Sequence, residues 1–313
     1  MRILVLGAGA IGGYFGGRLL EAGRDVTFLV RPRRAAELAR TGLAIRSRLG
    51  DVNLLAPTVT ADALRGPFDL ILLSCKAYDL AGAMDQLAPA VGPESAILPL
   101  LNGMAHLDLL ATRFGGVLVL GSQCIISSAL DAAGRIIHLN DTHLLAFGER
   151  DGSRSLRIEA IASALSNARF DARLSEAILP EMWEKWIFIA SLAGITCLLR
   201  ATVGDIAAVG AADLAASMLD ECATIATNEG FPPSESSLDR TRAMVTSAGS
   251  GLTASMLRDM ERGAPIEADH IIGDLLRRGE TRGGTFPLLR IAHAHLKAYE
   301  ARRVRESVVP KAA

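Results

Sequence analysis

Short apolar runs alternate with helical patterns through the first half of the chain, and the alternation stops near Ile178. Ile3–Leu6 (ILVL) predicts a strand bounded by Gly7, and Asp25–Val30 (DVTFLV), rich in β-branched residues, predicts a second. Leu70–Ser74, Ala96–Leu98 and Val117–Leu120 predict further strands, with helical patterns such as Tyr14–Ala22 and Arg33–Arg40 in between. Strands that are apolar throughout, separated by helices, belong to a parallel sheet covered on both faces. Arg135–Leu139 and Leu144–Phe147 read as a strand pair at the sheet edge, joined by the polar turn Asn140–Thr142. Beyond Ile178 long Ala/Leu/Met-rich stretches take over: Met182–Leu199, Ala211–Glu229, Ser237–Ser247 and Ile266–Arg278. Gly230-Phe231-Pro232-Pro233 stops one of these helices, as Gly followed by Pro should. The expectation is an α/β domain over residues 1–172 and an all-helical domain over 173–313, hinged within Asp171–Ala177.

Composition narrows the partners. Half the residues are hydrophobic and 21% are charged, which is globular. The 33 Lys and Arg against 34 Asp and Glu supply no broad basic field, so nucleic acid is not an expected partner. Cys75, Cys124, Cys197 and Cys222 form no C-x-x-C pair, which points to reduced thiols in the cytoplasm rather than disulfides or a zinc site. The histidines are scattered, and His293 and His295 face different sides of a helix, so no metal is expected. The uncharged run Trp186–Leu199 spans 14 residues, too short for a bilayer, and reads as a buried helix. The glycine-dense N-terminus does not read as a signal peptide, so a complete cytoplasmic chain is expected. The faces of the helical domain could close internally or in a homodimer. The basic cluster Arg302-Arg303-Val304-Arg305 reads as a solvated terminus.

Residues 7–12 read Gly7-Ala8-Gly9-Ala10-Ile11-Gly12, a G-x-G-x-x-G that leaves a strand and opens a helix. Gly7 suits the tight turn, Gly9 lets a pyrophosphate approach the backbone, and Gly12 lets the helix pack close to the sheet. The helix N-terminus, with Ala10 and Ile11, offers N–H groups to phosphate. An NAD site ordinarily has an acid at the end of the second strand. Here Val30-Arg31-Pro32-Arg33-Arg34 stands there, with Arg31 19 residues past Gly12. A guanidinium suits a 2′-phosphate, so NADP(H) is the expected cofactor, with Arg33 or Arg34 assisting. The alternative is an unremarkable surface arginine cluster.

A reductase also needs a proton donor beside the carbonyl. Lys185 is the one cation at the head of the most apolar helix, in Met182-Trp183-Glu184-Lys185-Trp186, where burial could lower its pKa. Alternatively it snorkels to solvent beside Glu184. Lys76 and Asn102 each follow a strand, at the carboxyl end where open α/β sheets bind ligands. Asn102-Gly103 could equally be a plain turn.

These residues together resemble the ketopantoate reductase (2-dehydropantoate 2-reductase) family. The likeness rests on GAGAIGG, Arg31, Ser74-Cys75-Lys76-Ala77, Leu101-Asn102-Gly103-Met104 and Trp183-Glu184-Lys185, and continues through Thr202-Val203-Gly204-Asp205, Ser255-Met256-Leu257-Arg258-Asp259 and Pro265-Ile266-Glu267. The resemblance implies a Rossmann-type domain followed by a helical domain, with the site in the cleft between them. It implies NADPH-dependent reduction of 2-dehydropantoate to (R)-pantoate, on the route to pantothenate and coenzyme A. It makes Lys185 the catalytic acid and Glu267 its partner, gives substrate contacts to Ser255 and Asn102, and a cofactor contact to Lys76. Glu267 would otherwise be a surface acid near a helix start, and Ser255 a helix cap.

The chain departs from the family pattern in three places. Ile189 and Ala193 replace asparagines that the family commonly carries one and two turns after its lysine, and Asp79 replaces a frequent glutamine. A different 2-oxo acid, or a more apolar ketone, is therefore an alternative substrate. A non-catalytic NADP(H)-binding sensor is the rival from another class. A flavin enzyme is weaker, because no second nucleotide-binding segment is evident.

Overall fold

The computed structural model describes residues 1–308. The chain divides into two compact units, Met1–Asn102 with His106–Leu179, and Gly103–Ala105 with the residues from Pro180 onward.

The first unit contains strands β1 (Arg2–Leu6), β2 (Asp25–Leu29), β3 (Leu43–Arg46), β4 (Val52–Leu54), β5 (Thr58–Val59), β6 (Leu70–Leu73) and β7 (Ala96–Pro99). Its parallel sheet runs β5-β2-β1-β6-β7, the Rossmann-type order. Helices α1 (Ala10–Glu21), α2 (Pro32–Thr41), α3 (Leu80–Leu87), α4 (Ala105–Phe114) and α5 (Leu156–Leu165) accompany the strands. A second sheet joins β10 (Asp171–Leu174), β9 (Ile136–Gly148), β3 and β4, with β8 (Gly121–Leu130) antiparallel to β9. Helix α1 packs against strands of both sheets and is buried from Gly12 through Leu19. Such close approach needs small residues: a Cβ on Gly16 would stand 2.8 Å from Phe28, and one on Gly17 2.8 Å from Ile45.

Three local expectations are corrected here. Val117–Leu120 is not a strand. Gly115, at φ +94°, and Gly116 lead the chain into a 3₁₀ turn over Gly116–Leu118, leaving Val119 to make one bridge to Ile97. Arg135–Leu139 and Leu144–Phe147 do not pair with each other. Apart from Arg135, both lie on the 13-residue β9, which pairs antiparallel with β8. The polar Asn140–Thr142 lies within β9, where the register shifts, and Asn140 Oδ1 accepts the Ser127 N–H at 2.9 Å. The segment read as a hinge holds β10, paired with Leu144–Phe147.

The second unit is helical: α6 (Ile178–Leu199), α7 (Val203–Ala208), α8 (Ala212–Asn228), α9 (Glu235–Val245), α10 (Ser255–Glu261), α11 (Asp274–Thr281) and α12 (Pro287–Val308). Gly230, at φ +90°, takes the chain out of α8 as expected of a glycine stop. The stretch Ile266–Arg278 is not one helix, because Asp269–Gly273 forms a π turn before α11. The run read as a 14-residue helix belongs to the 22-residue α6, long and apolar enough by length and composition to cross a membrane, although most of it is buried in the protein. The basic cluster is the end of α12, where Arg302 pairs with Glu306 at 2.7 Å and Arg303 donates to the Gly263 carbonyl at 3.0 Å.

Candidate functional site

In the first unit, the order β2-β1-β6-β7 puts four strand ends side by side. The Gly7 N–H donates to Leu29 O at 2.9 Å, the Ser74 N–H to Leu6 O at 3.2 Å, and the Leu100 N–H to Leu73 O at 2.8 Å. Arg31, the glycine loop, Lys76 and Asn102 therefore follow one another along the carboxyl edge of the sheet. Arg31 is the N-cap of α2, and half-buried Lys76 precedes the 3₁₀ turn Ala77–Asp79. Half-buried Asn102 is followed by Gly103 in the left-handed region, at φ +77°.

The glycine loop fits a diphosphate. Gly7 has φ +91°, and a Cβ there would stand 2.7 Å from Ser74 O. A Cβ on Gly12 would stand 2.5 Å from both Gly7 O and Ser74 Oγ. Gly9 differs, because its backbone is extended and a Cβ would meet no protein atom within 4 Å. Neither strain nor crowding in the chain calls for glycine at position 9, whereas a ligand against the backbone does. Gly9 is also the N-cap of α1 without a side-chain cap, and the first turn holds no acid. Its leading N–H groups are therefore without a side-chain cap, in the positive field of the helix end.

The arginines behind Arg31 have separate roles. Arg34 donates to Ala8 O at 3.0 Å and to Gly134 O at 3.0 Å, and pairs with Glu37 at 2.9 Å. It braces the glycine loop, whereas Arg33 is exposed. Arg31 itself is open to solvent and lies 3.3 Å from the Asp79 carboxylate. That pairing joins two strand ends and is invisible to local sequence spacing. Sequence reasoning also missed a polar group beside α1, in which Tyr14 Oη meets His143 Nδ1 at 2.8 Å and Ser47 Oγ meets His138 Nδ1 at 2.9 Å.

In the second unit, Lys185 is half-buried on α6, between the fully buried Trp186 and the half-buried Glu184. Glu184 Oε1 accepts the N–H and hydroxyl of Ser234, at 2.9 and 2.6 Å, at the start of α9. Trp186 donates its indole N–H to Ile271 O at 2.9 Å. Ile271 lies in the π turn, and its own N–H donates to Glu267 O at 3.0 Å. One buried bond thus ties the turn bearing Lys185 to the turn that Glu267 begins. Trp183 stacks on Phe231, and the Arg278 guanidinium lies within 6 Å of both indoles. Ser255 is exposed and is the first residue of α10, not its cap, which is Ala254. The Ala254 N–H reaches Thr196 Oγ1 at 3.4 Å, about three turns along α6 from Lys185. Among the described residues no three His, Cys, Asp or Glu side chains gather as a metal site requires.

Residues 3–152 match the family described as Ketopantoate reductase PanE/ApbA, and residues 177–300 match its C-terminal domain. The chain is 39% identical to the uncharacterized oxidoreductase YkpB of Bacillus subtilis (strain 168), covering 97% of this chain and 100% of that one. It is 30% identical to a 2-dehydropantoate 2-reductase of Mesorhizobium japonicum, covering 89% and 91%. The crystal structure of 2-dehydropantoate 2-reductase from Methylococcus capsulatus superimposes with a TM-score of 0.86 at 27% identity, covering 97% of this chain and 98% of that one.

Proposed function

The chain belongs to the ketopantoate reductase family and is an oxidoreductase, and on that premise we propose that it reduces the ketone of a 2-oxo acid with NADPH, Lys185 acting as general acid. The observation that carries this reading is the Trp186–Ile271 bond, which sets a half-buried ammonium and the turn begun by Glu267 on adjoining elements. The glycine loop holds the diphosphate through Gly7, Gly9, Ala10, Ile11 and Gly12. Arg31 takes the 2′-phosphate, and Lys76 and Asn102 flank the rest of the cofactor. When bound, NADPH supplies the hydride to the carbonyl carbon. The carbonyl π electrons move onto oxygen, where the Lys185 ammonium stabilises the developing alkoxide and gives it a proton. The neutral amine regains a proton from water. Glu267 orients the ammonium or accepts a hydrogen bond from the product hydroxyl, while Ser255 donates to the substrate carboxylate. The products are a 2-hydroxy acid and NADP⁺.

The substrate named for the curated relatives, 2-dehydropantoate, is the reference compound, and its reduction to pantoate would place this enzyme on the route to pantothenate. Loss of NADPH absorbance is followed with a panel of 2-oxo acids, with NADH in parallel. Turnover is expected, and Lys185→Ala should lower kcat ~10²-fold or more with NADPH affinity little changed. NADPH binding without turnover on any 2-oxo acid would replace this reading with a non-catalytic sensor. Wild-type turnover in the variant would remove Lys185 from the mechanism.

A further inference from the structure

The helix face that carries Lys185 continues for two turns without a hydrogen-bonding side chain. Between Glu181 and Cys197 of α6 the positions left partly open are Glu181, Glu184, Lys185, Phe188 and Ile189, and every residue from Ala190 to Cys197 is buried. At the α-helical spacing of 3.6 residues, Phe188, Ile189, Leu192 and Ala193 cover the stripe that runs on from Lys185. Thr196, the next polar residue on that stripe, is fully buried. Its hydroxyl donates to Leu192 O at 2.6 Å and accepts the Ala254 N–H at 3.4 Å. Ser191 is buried too, and its hydroxyl donates to Phe188 O at 3.1 Å. Two large apolar side chains are thus half-open directly beside the ammonium.

We infer that this enzyme acts on a 2-oxo acid whose side chain is hydrocarbon, aliphatic or aromatic, and that the Phe188–Ile189 ledge selects against a hydroxylated one. The inference rests on the reading that Lys185 protonates the substrate ketone. With that oxygen at Lys185, the third substituent of the ketone meets the next turn of α6, at Phe188 and Ile189. A hydroxyl there is taken out of water against Ile189 with no partner offered by the helix. Such a loss weakens binding roughly 5- to 150-fold, whereas a methyl group in the same place gains from burial.

The decisive pair is 2-dehydropantoate and trimethylpyruvate, which is the same molecule without its hydroxyl. With NADPH, trimethylpyruvate is expected to show kcat/KM at least ~10-fold above 2-dehydropantoate. Phenylglyoxylate is expected on the same side. Ile189→Asn should narrow or reverse that ratio while the Kd for NADPH stays put, and Ile189→Thr provides the same readout if the asparagine variant folds poorly. A wild-type preference for 2-dehydropantoate overturns the inference and leaves the reductase reading standing. No turnover on any 2-oxo acid overturns the reductase reading, and this inference with it.

Discussion

On the proposed NADPH reading, Asp79 is the residue to test beside Arg31. Its carboxylate lies 3.3 Å from the guanidinium that a 2′-phosphate would take, on an exposed pair. Exposed pairs contribute at most ~1 kcal/mol, so the phosphate displaces Asp79 at modest cost. Asp79→Asn should therefore tighten NADPH by up to ~5-fold without moving NADH, and the gain should shrink in high salt. Arg31→Ala should weaken NADPH by ~10-fold or more, the loss of a charge-assisted bond, again with NADH unmoved. Fluorescence titration of both nucleotides checks both variants, and equal changes for NADH and NADPH would take the pair out of the 2′-phosphate subsite. Sequence spacing was enough to put Arg31 at the end of the second strand, because the glycine loop, helix and second strand are contiguous and their geometry is local. Asp79 and Arg34 were out of reach, since their partners lie on other strand ends and loops.

At the scale of elements, α6 and the π turn act as one part. The Trp186 indole N–H is buried on Ile271 O, so Trp186→Phe keeps an aromatic ring on α6 and removes that one bond. Its loss should lower unfolding stability by ~0.5–1.5 kcal/mol in urea. If the bond also registers Lys185 against Glu267, kcat should fall by up to ~10²-fold with NADPH Kd unchanged and the pH profile of kcat displaced. A stability loss with kcat and its pH profile untouched would make the bond structural only. The helices of this unit were legible because Ala, Leu and Met dominate them. The π turn was not, because nothing local in Asp269–Gly273 distinguishes it from ordinary helix. The same limit explains β9. A polar triplet reads locally as a turn, and only pairing with β8 shows it to be a register shift inside a long strand.

Across the whole molecule, both tryptophans sit in the second unit, on α6, and the displaced imidazole sits in the first. Burial pushes His143 below the usual imidazole value. Asp171 opposes that shift, and His138 and Arg18 add to it. The histidine bonds Tyr14 of α1 at 2.8 Å and stacks on His138, so it holds the cofactor helix against the second sheet. With the folded value lowered, the unfolded chain binds more protons between that value and ~6.5, so stability is complete above ~6.5 and lost as pH falls through the folded value. Glu149, held low by the Arg157 hydrogen bond, acts only in the carboxylate range and leaves this window unaffected. From about pH 8 to about pH 5.5 the melting midpoint by circular dichroism, which sees both units, should therefore fall more than the midpoint by tryptophan fluorescence, which sees only the second. His143→Gln should flatten the difference, because its side chain still meets Tyr14 and takes up no proton. Equal shifts by the two probes, or an unchanged difference in the variant, would show that His143 is not the group that couples pH to the cofactor-binding unit.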